Sequence, residues 1–117
     1  MNEIDELFQK GVNAFNEKRF YDAHEFWEDI WSNYRLPDSK FIQGLIQISV
    51  GFFHLTNKNL NGARGLFKKS TNKFDTDSSE IRGIDVDLLR RMSIEALENV
   101  WKIESHIEFD WSIHKKI

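Results

Sequence analysis

The stretch Ser39-Lys40-Phe41-Ile42-Gln43-Gly44-Leu45-Ile46-Gln47-Ile48-Ser49-Val50-Gly51-Phe52-Phe53-His54-Leu55-Thr56 decides the fold. Nine of its residues are large and apolar, and on a helix they cover most of the circumference. A helix apolar nearly all round belongs at the centre of a helical bundle. Gln47, Ser49, Gly51 and His54 interrupt the run from Leu45 to Leu55. That run is also too short to cross a bilayer, so no membrane partner is expected.

Helical spacing continues on both sides of this segment. Ile4, Leu7, Phe8, Gly11, Val12 and Phe15 share one face of a helix over 3–16, with Asn2 as N-cap. Phe20, Ala23, Trp27, Ile30, Trp31 and Tyr34 do so over 20–34, and Pro37 ends that helix. A fourth helix is predicted over 60–74 and a fifth over 86–104, with a polar loop at 75–83 between them. Ile107, Phe109, Trp111 and Ile113 alternate, which reads as an extended C-terminal arm laid along the body. The expectation is one all-α domain over 1–117, a compact bundle of about five helices.

The first four helices read as two copies of one unit. A shift of 40 positions aligns Gly11 with Gly51, Lys18 with Lys58, Ala23 with Ala63, Trp27 with Phe67 and Tyr34 with Phe74. Small residues recur where helices approach closely and large ones where they pack. This is the pattern of tetratricopeptide-like helical hairpins. Two such units are fewer than a solenoid needs, so the fifth helix and the arm are expected to close the core.

Composition narrows the function. The chain of 117 residues carries a formal net charge of −3, which argues against nucleic-acid binding. It has no Cys, so thiolate metal sites and cysteine nucleophiles are excluded. The acidic start Met1-Asn2-Glu3-Ile4-Asp5-Glu6 is unlike a signal peptide, and a cytoplasmic location is the expectation.

Two segments carry a resemblance. One runs from Phe15-Asn16-Glu17-Lys18-Arg19-Phe20 through Ala23-His24-Glu25-Phe26-Trp27-Glu28 to Trp31. The other is Phe41-Ile42-Gln43-Gly44-Leu45-Ile46-Gln47, followed by His54, Asn59 and Gly62-Ala63. In this order and at this spacing the chain, over about 4–73, resembles the small bacterial and plastid proteins grouped as domain-of-unknown-function family 309. The resemblance implies an all-helical fold and, for an organellar member, the plastid stroma. It implies no activity.

The residues themselves single out one polar group. At 100° per residue, His24 falls at the edge of the second helix's apolar face beside Trp31, and Glu28 lies about 40° further round. His24 and Glu28 are four apart and so can meet, half shielded by Trp31. On the third helix Gln43, Gln47 and His54 fall within about 40° of one another, beside Gly44 and Gly51. An antiparallel hairpin that turns this stripe towards the second helix gathers His24, Glu28, Gln47 and His54.

Three readings are open for that group. It is a hydrogen-bonded network fixing helix register, or a ligand site, or a divalent-metal site on His24, Glu28 and His54. His24-Glu25-Phe26-Trp27-Glu28 also imitates the zinc-peptidase pattern, with Glu in place of the second His. Otherwise no cofactor is expected. Arg64, Lys68, Lys69 and Lys73 read as a solvated face, Trp27 and Trp31 as core, and Trp111 as a contact to a partner, including another copy. The expected function is a non-enzymatic protein-interaction module. The alternative is a metal- or ligand-binding protein, or a hydrolase-type enzyme, centred on His24, Glu28, Gln47 and His54.

Overall fold

The computed structural model describes residues 2–117. Helices α1 (Glu3–Asn16), α2 (Phe20–Asn33), α3 (Ser39–Thr56) and α4 (Leu60–Ser70) each pack against the next, and α5 (Val86–Lys102) packs on α4. The architecture is the all-α one that the periodicity implies. No helix among the described residues is long and apolar enough to cross a membrane.

The 40-residue repeat is present in the backbone and in the packing. Lys18 and Lys58 both take the left-handed conformation, with φ of 62° and 60°. Around them the same bonds recur: Arg19 N–H donates to Ala14 O and Asn59 N–H to His54 O, each at 2.8 Å. Three residues past the helix end, these bonds turn the chain back on itself. Within each hairpin a glycine admits the partner helix's largest ring. A Cβ on Gly11 would lie 2.2 Å from the Trp27 ring, and one on Gly51 would lie 2.7 Å from the Phe67 ring. Trp27, Phe67, Ala23 and Ala63 are fully buried.

Three stretches depart from the sequence-based expectation. Helix α4 stops at Ser70, where the Ser70 and Thr71 hydroxyls donate to the Phe67 and Lys68 carbonyls. Phe74 is thereby freed to turn into the core against Phe41. The predicted loop before α5 contains a small hairpin, β1 (Glu80–Ile81) with β2 (Ile84–Asp85). Its two turn residues, Arg82 and Gly83, both have positive φ, as a two-residue hairpin turn requires. Arg82 fixes the hairpin by pairing with Asp38 at 2.6 Å and Asp5 at 3.6 Å over the Phe8 ring.

The C-terminal arm does lie on the body, but it is broken into single 3₁₀ turns at His106–Glu108 and Trp111–Ile113. Ser105 and Asp110 cap those turns. Phe109 is buried against Phe52 and Phe67, and Trp111 stacks on Phe20 and packs tilted against Phe52. Trp111 therefore has its partners inside the chain. Arg64 is likewise not a free surface cation, because it donates to the Val100 and Ile103 carbonyls and so caps α5.

Candidate functional site

His24 and Glu28 meet as their spacing predicts. Nε2 of His24 lies 3.4 Å from Oε2 of Glu28, and the His24 Nδ1–H donates to the Tyr21 carbonyl at 2.9 Å. That bond fixes the tautomer of the neutral ring and leaves the Nε2 lone pair towards the carboxylate. Tyr21, His24, Glu25, Glu28 and Asp29 line a shallow hollow of about 380 Å³. The neighbouring Glu25 carboxylate raises the pKa of the Tyr21 phenol above its ordinary value.

His54 and Gln47 do not line that hollow. His54 sits at the start of α4, with Asn59 Nδ2 at 3.4 Å from its Nδ1 and Gly62 against its ring. The reason is the glycine stripe. Gly44 and Gly51 admit the Phe74 and Phe67 rings, so this side of α3 belongs to α4 rather than to α2. His24 and His54 are joined only through two other rings, His24–Tyr21 at 5.1 Å and Tyr21–Phe53 at 5.4 Å, with Phe53 beside His54 at 6.2 Å. Among the described residues no three His, Asp or Glu side chains are grouped to hold a metal ion. The Gln47 side-chain carbonyl is buried without a hydrogen-bond partner.

Trp31 is 42% exposed, so it is not the core residue its apolar spacing predicts. It lies in the last turn of α2, past the cover that buries Trp27.

The larger feature is the surface of α3 itself. Gln43, Ile46, Gln47, Val50, Phe53 and His54 are all half-buried, whereas the remaining α3 residues from Phe41 to Leu55 are buried. At 100° per residue these six fall within a sector of about 120° centred on Val50. Tyr21 and Phe53 mark where α2 borders this sector, and Gly62 and His54 mark where α4 does. Every sequence-selected polar residue of α3 lies on this face, with His24 and Glu28 on its α2 wall.

The family model described as Domain of unknown function (DUF309) matches residues 8–66. The chain belongs to this family. No curated protein matches it. The DUF309 match covers α1 from Phe8 onwards, all of α2 and α3, and the first turns of α4, so the α3 face and the His24–Glu28 pair lie within it.

The sequence reading missed several members of the face. Ile46, Val50 and Phe53 count in the sequence only as apolar positions of the third helix and Tyr21 carries no role there; their shared exposure depends on which sides α2 and α4 occupy. It also missed His114 of the arm, which is buried against the body with its Nε2–H donating to the Phe15 carbonyl at 3.0 Å. Phe15, Phe20 and Phe52 surround that ring at 4.9–5.4 Å. Burial is the main reason its pKa is lowered; Lys18, Lys115 and Lys116 add to the lowering, against the Phe15 hydrogen bond. A hollow of about 460 Å³ opens beside it, lined by Lys18, Phe20, Leu55, Thr56, His106, Ile107 and Trp111.

Proposed function

We propose that this DUF309 chain is a non-enzymatic helical module that associates with another protein through the open face of α3. The observation that carries the reading is that the most apolar helix of the chain keeps about a third of its circumference half-exposed. Tyr21 and Trp31, exposed by 50% and 42%, extend that surface along α2. The centres of protein interfaces are poor in charged residues and rich in aromatic ones, and the α3 strip carries Phe53 and no Asp, Glu, Lys or Arg. His24, Glu28, Gln47 and His54 then serve as the polar groups that set orientation.

A photo-cross-linking residue placed at Val50, with a control at the exposed Arg91 on α5, tests this in the native host. A protein adduct at position 50 but not at position 91 is expected. Equal labelling at both positions, or none at 50, refutes the reading.

One observation favours a second reading, divalent-cation binding. The Tyr21 carbonyl orients His24 so that an imidazole nitrogen and a carboxylate oxygen converge at 3.4 Å, as two metal ligands do. A melt of the metal-stripped protein against divalent ions checks it. At a hundredfold excess over the dissociation constant, binding adds about 2.7 kcal/mol, and the gain must vanish in His24→Ala.

A further inference from the structure

We infer that the protein covering the α3 face is a second copy of this chain, related by a two-fold axis running along α3. The inference rests on the association reading above and adds the identity of the partner. It is carried by the distribution of charge on the two walls of the face.

The α2 wall is acidic. Glu25, Glu28 and Asp29 border its hollow, and α2 contains no Lys or Arg. The α4 wall is basic, since α4 contains Arg64, Lys68 and Lys69 and no Asp or Glu. At 100° per residue, Arg64 and Lys68 turn towards α5, while Lys69 falls about 20° from Gly62, which borders the open face beside His54. Lys73 packs directly beside Gly44. Glu25, Lys69 and Lys73 have no ion-pair partner among the described residues, and Glu28 has only His24.

A two-fold axis along α3 exchanges left for right without changing height. It therefore places α2 of one copy over α4 of the other. The heights agree. The Tyr21–Phe53 contact sets the register of α2 on α3, and four residues on from Tyr21 and four back from Phe53 bring Glu25 level with Ser49. The Gly51–Phe67 contact sets the register of α4, and two residues on and two back bring Lys69 level with the same Ser49. By the same count Glu28 is level with Ile46, about 3 Å along the axis from Gly44, where Lys73 sits. Two complementary pairs, Glu25 with Lys69 and Glu28 with Lys73, thus form on each side of the axis.

The centre of the face fits the same symmetry. Gln43, Ile46, Val50 and Phe53 repeat with the three-four spacing of the seam between two parallel helices. A single polar residue among apolar ones in such a seam fixes register, and Gln43 supplies it. The C-terminal arm does not compete for this place. It packs on Phe52, about 160° round α3 from Val50.

Sedimentation equilibrium of the full chain tests the inference, using wild type, Glu25→Lys/Glu28→Lys, Lys69→Glu/Lys73→Glu, and an equimolar mixture of the two double variants. Wild type is expected to dimerise, and more weakly as salt rises from about 50 to about 500 mM, because the rim pairs are screened. Each double variant alone should dimerise at least about tenfold more weakly, since like charges then face each other, and the mixture should recover the wild-type constant. Far-ultraviolet circular dichroism of each variant confirms that it is folded. A wild type that sediments as one chain throughout overturns the inference, as does a mixture no stronger than its components. In either case an adduct at position 50 with a different protein leaves the association reading standing, whereas no adduct removes both.

Discussion

The glycines wedged beneath rings give a test whose sign differs from site to site. Replacing a helical Gly by Ala adds about 1 kcal/mol of stability where the methyl meets nothing. At Gly65 nothing lies within 4 Å, so Gly65→Ala should stabilise by about 0.5–1 kcal/mol. At Gly51 the new Cβ lies 2.7 Å from Phe67 Cε1, well inside the roughly 3.5–4.0 Å of a carbon contact. Phe67 cannot give way easily, because it is fully buried between Phe52 and Phe109. Overpacking of about 1–3 kcal/mol then exceeds the helical gain.

Gly11 is the worst case. There the methyl lies 2.2 Å from Trp27 Nε1, whose N–H donates to the Phe8 carbonyl at 3.2 Å. Moving the indole loses that buried hydrogen bond as well, about 1 kcal/mol or more. The net losses are about 1–2 kcal/mol for Gly51→Ala and about 2–3 kcal/mol for Gly11→Ala. For a chain of this length they correspond to falls in melting temperature of roughly 4–8 °C and 8–12 °C. Thermal melts followed by circular dichroism read all three variants. If Gly11→Ala melts at or above wild type, or Gly65→Ala melts below it, the packing argument for the repeat is wrong.

Other consequences follow from the turns and the arm. Lys58→Gly should raise the melting temperature, because the left-handed turn costs a lysine about 1 kcal/mol more than a glycine. Lys18→Gly, at the equivalent turn, should gain less, since Lys18 also lies 5.5 Å over the Trp111 ring; equal gains would show that this contact is inert. The lowered pKa of His114 means that the unfolded chain takes up a proton before the folded one. Its effect is absent well above pH 6.5, grows as pH falls from there, and levels off below the folded-state value. Wild type should therefore lose stability on acidification more steeply than His114→Gln, and parallel melts across that range would refute the buried assignment. Deleting residues 105–117 uncovers Phe20 and Phe52 and should lower the melting temperature more than any single substitution named here; a truncated chain that melts with the full one would show that the arm is not part of the core.

The helices and the repeat were legible because both are written in local spacing. A shift of 40 pairs Gly11 with Gly51 and Trp27 with Phe67, and in space Gly11 interlocks with Trp27 as Gly51 does with Phe67. The end of α4 was not legible, because Ser70 and Thr71 stop it through hydroxyl bonds to the preceding turn rather than through Gly or Pro. The candidate cluster was legible only where it is local. His24 and Glu28 are neighbours on one helix, and their meeting follows from a spacing of four. A wheel shows that Gln47 and His54 share a stripe but not which neighbouring helix takes it. That was decided by Phe67 and Phe74 entering at Gly51 and Gly44. His114 meets Phe15 across 99 positions of chain, and nothing in the alternation of the arm anticipates that bond.

The arm also bears on why the α3 face remains open. Two hairpins and one further helix leave both sides of α3 in need of cover. One side carries Phe52, and there the chain supplies Phe109, Trp111 and His114 from its own C-terminal arm. The opposite side carries Val50, Phe53 and the two glutamines, and none of the arm's rings packs against it. Burial of the first side is intramolecular and therefore independent of concentration. Burial of the second, if a second copy supplies it, rises with concentration by mass action. Stability of the folded chain should then depend on protein concentration. Hydrogen exchange at two protein concentrations checks this: amides of α2, α3 and α4 that border the face should slow as concentration rises. No slowing of those amides would mean that the face is not closed by a second copy.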